Sequence, residues 1–301
     1  MLSWSKSNRM DSKKHILPAI GLILLWIMSL SACTLFEKDE IPPAILHLEP
    51  FTFTTEPGQG TANNRITEVW VYANNAILGA FTPPTNVYYL QTGNTRFDFR
   101  PGIRNNGILA DAIPYPLFNT YAVDIDVAPG GSYDIAPTTT YQSSCSFPFM
   151  ADFEFDNPFT DNRDTVEASA MVRSTVDVFE GMYSGQITMS AEANFIEVGH
   201  ALPMTELPVD GRKIYLEMRY KNEVEMSIGL LGSNLQGESF SNFFYLVNPT
   251  DEWNMLYLDL TGFIVASDLE SYKILFRSLY PPNATKSEYQ LFFDNIKVVH
   301  L

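Results

Sequence analysis

The second half of the chain contains aromatic residues beside amides, and the chemistry of this group points most directly to a ligand. The rings stand at Phe243, Phe244, Tyr245, Trp253 and Tyr280, with amides at Asn242 and Asn248. Carbohydrate sites set aromatic rings against the apolar faces of sugars and use amides or carboxylates for the hydroxyl groups. The pattern indicates sugar binding, and the ligand-binding candidates are Trp253, Phe243, Tyr245 and Tyr280.

The same rings also have a purely structural interpretation. Successive side chains of a strand alternate between its two faces, so about half of the aromatics in any strand enter the core. Tyr280 stands beside Pro281-Pro282 and is the ring that we expect to be exposed. Packing and ligand binding both stay open for the others.

Catalytic motifs are weak in this chain. His47, His200 and His300 lie far apart without a metal-ligand spacing. Residues 181–185 (Gly-Met-Tyr-Ser-Gly) are one residue off the Gly-x-Ser-x-Gly elbow and stand in a β context. We predict no enzyme and no catalytic residue; glycoside hydrolysis stays open only because any acidic protein offers carboxylate pairs.

The first 33 residues have the order of a secretory signal peptide. A basic segment that ends at Lys14 precedes an apolar run over residues 16–30, which is shorter than the roughly 20 residues that span a bilayer. Leu30-Ser31-Ala32-Cys33 resembles the lipobox of bacterial lipoproteins, in which the cysteine receives acyl chains such as palmitate and the preceding peptide is removed. We expect residues 1–32 to be a cleaved lipoprotein signal peptide and Cys33 to carry the lipid anchor.

Residues 33–43 have the composition of a tether. Pro42-Pro43 favours an extended chain. Lys38-Asp39-Glu40 resembles the short signal that exports Bacteroidota lipoproteins to the cell surface, although any solvated tether is charged. We expect a lipid-anchored protein of the outer membrane that faces outward at the cell surface.

The chain is strongly acidic, with 19 Lys and Arg against 35 Asp and Glu. Loss of residues 1–32 removes four of the former and one of the latter and leaves a net charge of −19. Such a surface repels phosphate backbones, so we expect no nucleic-acid partner. It also repels anionic lipid, so the membrane contact is expected through the lipid anchor alone.

Short strands separated by turn residues fill residues 44–141. Residues 66–72 and 76–81 flank Asn74-Asn75, and asparagine tolerates the positive φ of a two-residue hairpin turn. Further strands are predicted at 46–54, 87–90, 95–100, 121–127 and 132–135, which suggests a small antiparallel sandwich. Residues 100–118 form the longest irregular stretch, where two arginines either receive an anionic group or lie in a plain connection.

Several segments of this half resemble the amino-terminal half of a family of uncharacterised Bacteroidota surface lipoproteins. They are 66–72 (Ile-Thr-Glu-Val-Trp-Val-Tyr), 78–81 (Leu-Gly-Ala-Phe), 100–103 (Arg-Pro-Gly-Ile), 106–108 (Asn-Gly-Ile), 115–116 (Tyr-Pro) and 137–141 (Pro-Thr-Thr-Thr-Tyr). The progression is also similar to PEGA-type modules. The resemblance implies an immunoglobulin-like β-sandwich over residues 44–141 and brings no activity with it.

A second β-rich unit is predicted over residues 150–301, after a boundary rich in Thr and Ser. Leu256, Leu258 and Leu260 alternate with more polar residues, as in a half-buried strand. Residues 261–272 offer room for one short helix or turn at most. Strands are predicted at 185–190, 213–220, 225–231, 242–247, 253–259, 273–278 and 289–299.

This half resembles the galactose-binding-like β-jelly roll, whose members include many carbohydrate-binding modules. The matching segments are Phe153-Glu154, residues 183–185, Trp253 with residues 256–260, and residues 291–298. The resemblance implies that the first and last strands are adjacent and that oxygen ligands from them hold a structural calcium ion, with Asp152, Glu154 and Asp294 as candidates. Alternatively, the first two lie on the solvated face of a strand.

Together these features predict an all-β protein, an immunoglobulin-like β-sandwich followed by a β-jelly roll, that binds a glycan or a protein partner through its second half. The alternative is a structural or assembly subunit of an outer-membrane complex. Asp164-Thr165-Val166 matches the Bacteroidota O-glycosylation pattern, so Thr165 is a predicted glycosylation site.

Overall fold

The computed structural model describes residues 41–166 and 168–301, and nearly every element in them is a β-strand. This confirms the all-β fold class. The described part of the chain contains one α-helix, α1 (Thr261–Ser267), inside the segment where the sequence allows one short helix or turn at most. No helix in these residues has the length and apolarity that crossing a membrane requires.

The first ten strands form a sandwich over residues 44–139. Sheet 1 has the order β5-β1-β9, sheet 2 has the order β4-β3-β6 with β7 and β8 both on β6, and β2 pairs with β10. The strands are β1 (Ala44–Leu48), β2 (Thr52–Phe53), β3 (Glu68–Ala73), β4 (Ala76–Phe81), β5 (Thr85–Tyr89), β6 (Gly93–Arg104), β7 (Ala112–Pro114), β8 (Tyr121–Val127), β9 (Ser132–Ile135) and β10 (Thr138–Thr139). Leu46, Val71, Phe97 and Phe99 lie in the core between the sheets.

The β3–β4 hairpin turns as predicted, because Asn74 and Asn75 both have positive φ, 48° and 67°. The strand predicted at 46–54 is wrong in its middle: it divides into β1 and β2 around Pro50, which has no N–H to donate to a ladder.

The irregular stretch predicted at 100–118 is also wrong in part, because β6 continues to Arg104 and pairs with β7. Pro101 has no backbone N–H to donate, and it is tolerated because no strand pairs with β6 on this side at Pro101: the pairing with β8 ends at Phe99 and the pairing with β7 begins at Gly102. Gly102 is required because a Cβ at this position would lie 2.9 Å from Cδ1 of Trp70.

The second sandwich contains two six-stranded sheets. Sheet 3 has the order β13-β14-β22-β17-β20 with β11 on β22, and sheet 4 has the order β12-β15-β21-β18-β19 with β16 on β21. The strands are β11 (Ser146–Ala151), β12 (Asp161–Asn162), β13 (Met171–Ser174), β14 (Ser184–Ser190), β15 (Phe195–Gly199), β16 (Met204–Thr205), β17 (Ile214–Asn222), β18 (Met226–Ser233), β19 (Ser239–Val247), β20 (Thr250–Asp259), β21 (Ser271–Leu279) and β22 (Glu288–His300). The first strand of this sandwich, β11, pairs with the last, β22, as the jelly-roll resemblance implies.

A shared core joins the two sandwiches. Tyr115 of the first sandwich packs edge-on against Tyr215, with ring centroids 5.0 Å apart, and lies 5.1 Å from Tyr257. Both partners come from the outward face of sheet 3, and Leu117 and Phe118 extend the same apolar cluster. The first sandwich therefore covers one face of the second.

Glu217 of β17 is fully buried in this shared core. Its Oε1 accepts a hydrogen bond from the Tyr115 hydroxyl at 2.5 Å, and its Oε2 accepts one from the Tyr141 hydroxyl at 2.7 Å. Burial raises the pKa of both tyrosines well above its usual value, and the Glu217 charge raises it further. Burial lowers the pKa of Lys297 close by, while the Glu217 charge opposes that shift.

Glu217→Ala should destabilise the protein by about 3–5 kcal/mol, because it leaves two buried hydroxyls without an acceptor and removes the charge that most favours the protonated form of the buried Lys297. Urea unfolding of the full chain in detergent measures the loss. Glu270→Ala, at an exposed site, is the matched control and should stay within about 0.5 kcal/mol of the unchanged protein. A loss below about 1 kcal/mol for Glu217→Ala would contradict the role assigned to this carboxylate.

His200 lies at the end of β15 in the aromatic core of the second sandwich. Its ring stacks on Phe149 with centroids 4.3 Å apart, and neither ring nitrogen has a hydrogen-bond partner in the described structure. Burial lowers the pKa of His200 to about 4. These surroundings favour the neutral form of the His200 ring, which packs in the core as an apolar side chain does.

This histidine should make the fold acid-sensitive. Its folded-state pKa lies below the unfolded value of about 6.5, so between these values the unfolded chain binds more protons and stability falls as pH falls. The loss should approach about 3 kcal/mol near pH 4. Urea unfolding at pH 7 and pH 4.5 should show a smaller pH-dependent loss for His200→Leu, and an unchanged loss would refute the assignment.

Candidate ligand-binding face

The two sheets of the second sandwich present their outer faces to different surroundings. Side chains of β17, β20 and β22 in sheet 3 enter the core shared with the first sandwich. In sheet 4, Ile196, Ile274 and Phe276 point into the sandwich core. Alternation sends their neighbours on β15 and β21 outward, and we call this outer surface of sheet 4 the open face.

Five charged side chains form a continuous row across the open face. Arg277 donates to Glu197 Oε2 through Nη2 at 2.6 Å and through Nε at 3.1 Å. Lys273 Nζ donates to Asp161 Oδ2 at 2.6 Å. Arg163 lies between the two pairs, 3.5 Å from Glu197 Oε1 and 3.9 Å from Asp161 Oδ2. This charged row presents fixed donors and acceptors side by side.

The aromatic ring of Phe243 lies next to the charged row, with its face toward the guanidinium of Arg277. The guanidinium carbon of Arg277 is 3.6 Å from the ring centroid of Phe243 and 6.0 Å from that of Phe195. Gly229 makes room for this stack, because a Cβ there would lie 2.9 Å from Cδ1 of Phe243 and 2.5 Å from the carbonyl oxygen of Asn242. Cation–π attraction and the missing side chain hold the ring in place.

A groove of about 420 Å³ continues from the open face toward the end of the sandwich. Tyr280 lines it and donates its hydroxyl to the carbonyl oxygen of Lys286 at 2.9 Å, with the ring 5.8 Å from that of Tyr289. Other lining residues are Glu223, Glu225, Ser227, Leu246, Pro249, Arg277, Leu279, Pro281 and Pro282. Arg277 belongs to both the groove and the charged row, so the two form one continuous surface.

The four aromatic candidates do not share one site. Phe243 and Tyr280 border the surface around Arg277. Trp253 lies on β20 of sheet 3, half-buried against Phe179, where its Nε1 donates to Asp177 Oδ1 at 2.8 Å. Tyr245 donates its hydroxyl to the carbonyl oxygen of Asn106 in the first sandwich at 2.5 Å. The structure thus brings two of the four together.

Two of the three carboxylates predicted to bind calcium, Glu154 and Asp294, accept hydrogen bonds from the protein backbone. Glu154 Oε1 accepts the backbone N–H groups of residues 182 and 183, and Asp294 Oδ2 accepts those of residues 179 and 180. Burial raises the pKa of Asp294 to about 7, whereas Asp152 is exposed. Within residues 41–166 and 168–301 no group of three or more acidic, His or Cys side chains is arranged to hold a metal ion. The calcium ion stays a prediction from the sequence.

Sequence reasoning did not identify the charged row. One signal was present: Lys273 and Arg277 are four residues apart and so fall on one face of a strand. Their partners come from strands far away in sequence. Of the other predicted sites, Thr165 is exposed after β12, and Cys33 lies outside the described residues.

No family model and no curated protein matches this chain. Among solved structures, a carbohydrate-binding module studied for the promiscuous specificity of its β-sandwich superfamily is 14% identical, covering 87% of this chain and 99% of its own, with a TM-score of 0.39. The CBM22-1 xylan-binding domain from Paenibacillus barcinonensis is 13% identical, covering 53% of this chain and 97% of its own, with a TM-score of 0.37. The enzymatically active domain of tailspike protein 4 from bacteriophage CBA120 is 12% identical, covering 53% of this chain and 20% of its own, with a TM-score of 0.36. At such TM-scores these likenesses carry no argument about what this chain binds.

Proposed function

We propose that this protein is a non-catalytic glycan-binding protein whose ligand lies on the open face of the second sandwich. The observation that carries the proposal is the charged row with the Phe243 ring flat beside it, on the face that the first sandwich leaves uncovered. No catalytic step is proposed, because both carboxylates of the row are already held by cationic side chains.

The chemistry of the row suits sugar hydroxyls. A hydroxyl group both donates and accepts, and the row alternates carboxylate acceptors with guanidinium and ammonium donors. The Phe243 ring offers an apolar surface for the C–H face of a sugar ring. Since Arg277 and Glu197 hold each other in place, binding costs little additional side-chain entropy.

The groove at Tyr280 extends the open face at one end. A polysaccharide that lies along the charged row passes Arg277 and enters the groove, where Glu225 is exposed and Tyr280 supplies a second ring. Because the charged row and the groove form one continuous surface, a polysaccharide that contacts both should bind more tightly than a monosaccharide.

We also propose the location expected from the sequence, a lipid anchor at Cys33 in the outer membrane with the folded part outside the cell. The acyl chains then hold the protein on the membrane while the acidic folded part stays in water. Metabolic labelling with a palmitate analogue, lost in Cys33→Ser, tests the anchor separately from glycan binding.

Phe243→Ala and Arg277→Ala should each weaken binding to a polysaccharide at least tenfold, since each removes a ring or a charge-assisted donor from the face. Affinity electrophoresis of the full chain in gels that contain single soluble neutral polysaccharides measures this. Gly229→Ala should also weaken binding, because it displaces the Phe243 ring.

Trp253→Ala is the matched control, since it removes a ring from sheet 3 rather than from the open face. Its affinity should stay within about twofold of the unchanged protein. Equal losses for Trp253→Ala and Phe243→Ala would place the ligand elsewhere, and retention by no polysaccharide in a diverse panel would refute the proposed function.

A further inference from the structure

A second cavity, of about 260 Å³, lies where the two sandwiches meet. Arg104 and Leu109 of the first sandwich form one wall, and Tyr220 and Asn254 on β17 and β20 form the other. Arg65 lies at the mouth, where its side chain is exposed. This junction cavity is on the sheet 3 side of the second sandwich and is separate from the open face.

Positive charge collects around the junction cavity although the chain as a whole is strongly acidic. Arg104 is paired with Glu68, and its Nη1 donates to the carbonyl oxygen of Leu109. In the described part of the chain, Arg65 has no carboxylate within ion-pair distance. One guanidinium at the cavity is therefore left without a counter-charge.

A further guanidinium, that of Arg219, lies next to the cavity wall and is held by the protein itself. Arg219 is 9% exposed, and its Nε and Nη2 donate to Asn63 Oδ1 and the Asn64 carbonyl oxygen, both at 2.7 Å. These acceptors are neutral, and the carboxylates of Glu180 and Asp294 supply opposing charge. Burial lowers the pKa of Arg219 and the positive charge of Arg65 lowers it further, whereas Tyr257, Glu180 and Asp294 oppose that shift.

Neutral polar groups line the wall opposite Arg65. The Tyr220 hydroxyl accepts a hydrogen bond from Asn254 Nδ2 at 3.2 Å, which leaves its proton without an acceptor among the described residues. The unpaired guanidinium of Arg65 beside a free hydroxyl donor forms a site whose missing component is an anion. Carboxylate oxygens accept from both a guanidinium fork and a hydroxyl group.

We propose that the junction cavity binds the carboxylate group of a single acidic sugar. The carboxylate takes hydrogen bonds from the Arg65 guanidinium and the Tyr220 hydroxyl, and the side-chain amide of Asn254 contacts a sugar hydroxyl. The volume is below the roughly 300–1,000 Å³ of sites for drug-sized ligands, which suits one sugar residue rather than a chain.

Calorimetric titration of the full chain in detergent tests this with three probes: sodium galacturonate, galactose and sodium acetate. Galacturonate should bind, and neither galactose nor acetate should match it, because the first lacks the charge and the second lacks the hydroxyl groups. Arg65→Gln should weaken galacturonate binding at least tenfold, the usual effect of losing a charge-assisted hydrogen bond. The fold should persist, since the Arg65 backbone N–H, which donates to the Tyr257 hydroxyl at 2.8 Å, is kept.

Arg212→Gln, which removes an exposed guanidinium elsewhere, is the matched control and should leave galacturonate binding unchanged. Absence of galacturonate binding, or equal binding by Arg65→Gln, would overturn the proposal, and equal binding of acetate would overturn its sugar component. The outcome is distinguishable from failure of the proposed function, because Phe243→Ala should weaken polysaccharide binding and leave galacturonate binding intact.

Discussion

The burial of Glu217 is the constraint on which the arrangement of the two sandwiches depends. A carboxylate taken out of water costs several kcal/mol unless hydrogen bonds replace its hydration. Both of its side-chain donors, Tyr115 and Tyr141, come from outside the second sandwich. The outward face of sheet 3 is therefore stable only when the first sandwich covers it, and the second sandwich has just one broad face left for a ligand.

The composition of the two faces follows from this division. Sheet 3 presents tyrosines such as Tyr215 and Tyr257, whose rings pack in the shared core and whose hydroxyls meet polar groups of the first sandwich. The open face carries ion pairs instead. Glu197 is buried while its partners Arg277 and Arg163 are partly exposed, so the row stabilises sheet 4 and also presents polar groups to a ligand.

Local patterns made part of this architecture predictable from the sequence. The Asn74-Asn75 hairpin follows from turn chemistry and is present. β12 and β16 are two residues long, too short for alternation to be recognised. The charged row could not be predicted from local patterns for a different reason. Glu197 and Arg277 meet only because β15 and β21 pair across some eighty residues of sequence.

The aromatic candidates show most clearly where a pattern of period two fails. Simple alternation places Phe243 and Tyr245 on the same face of β19, so both qualify equally as ligand residues. In the structure the pairing of β19 with β18 shifts between Ile228 and Gly229, and a bulge at Phe244 absorbs one residue. Phe243 then lies over Arg277 on the open face, while Tyr245 reaches Asn106 at the junction cavity. One extra residue in an edge strand therefore separates the ring proposed to contact a glycan on the open face from the ring beside the cavity proposed to bind an acidic sugar.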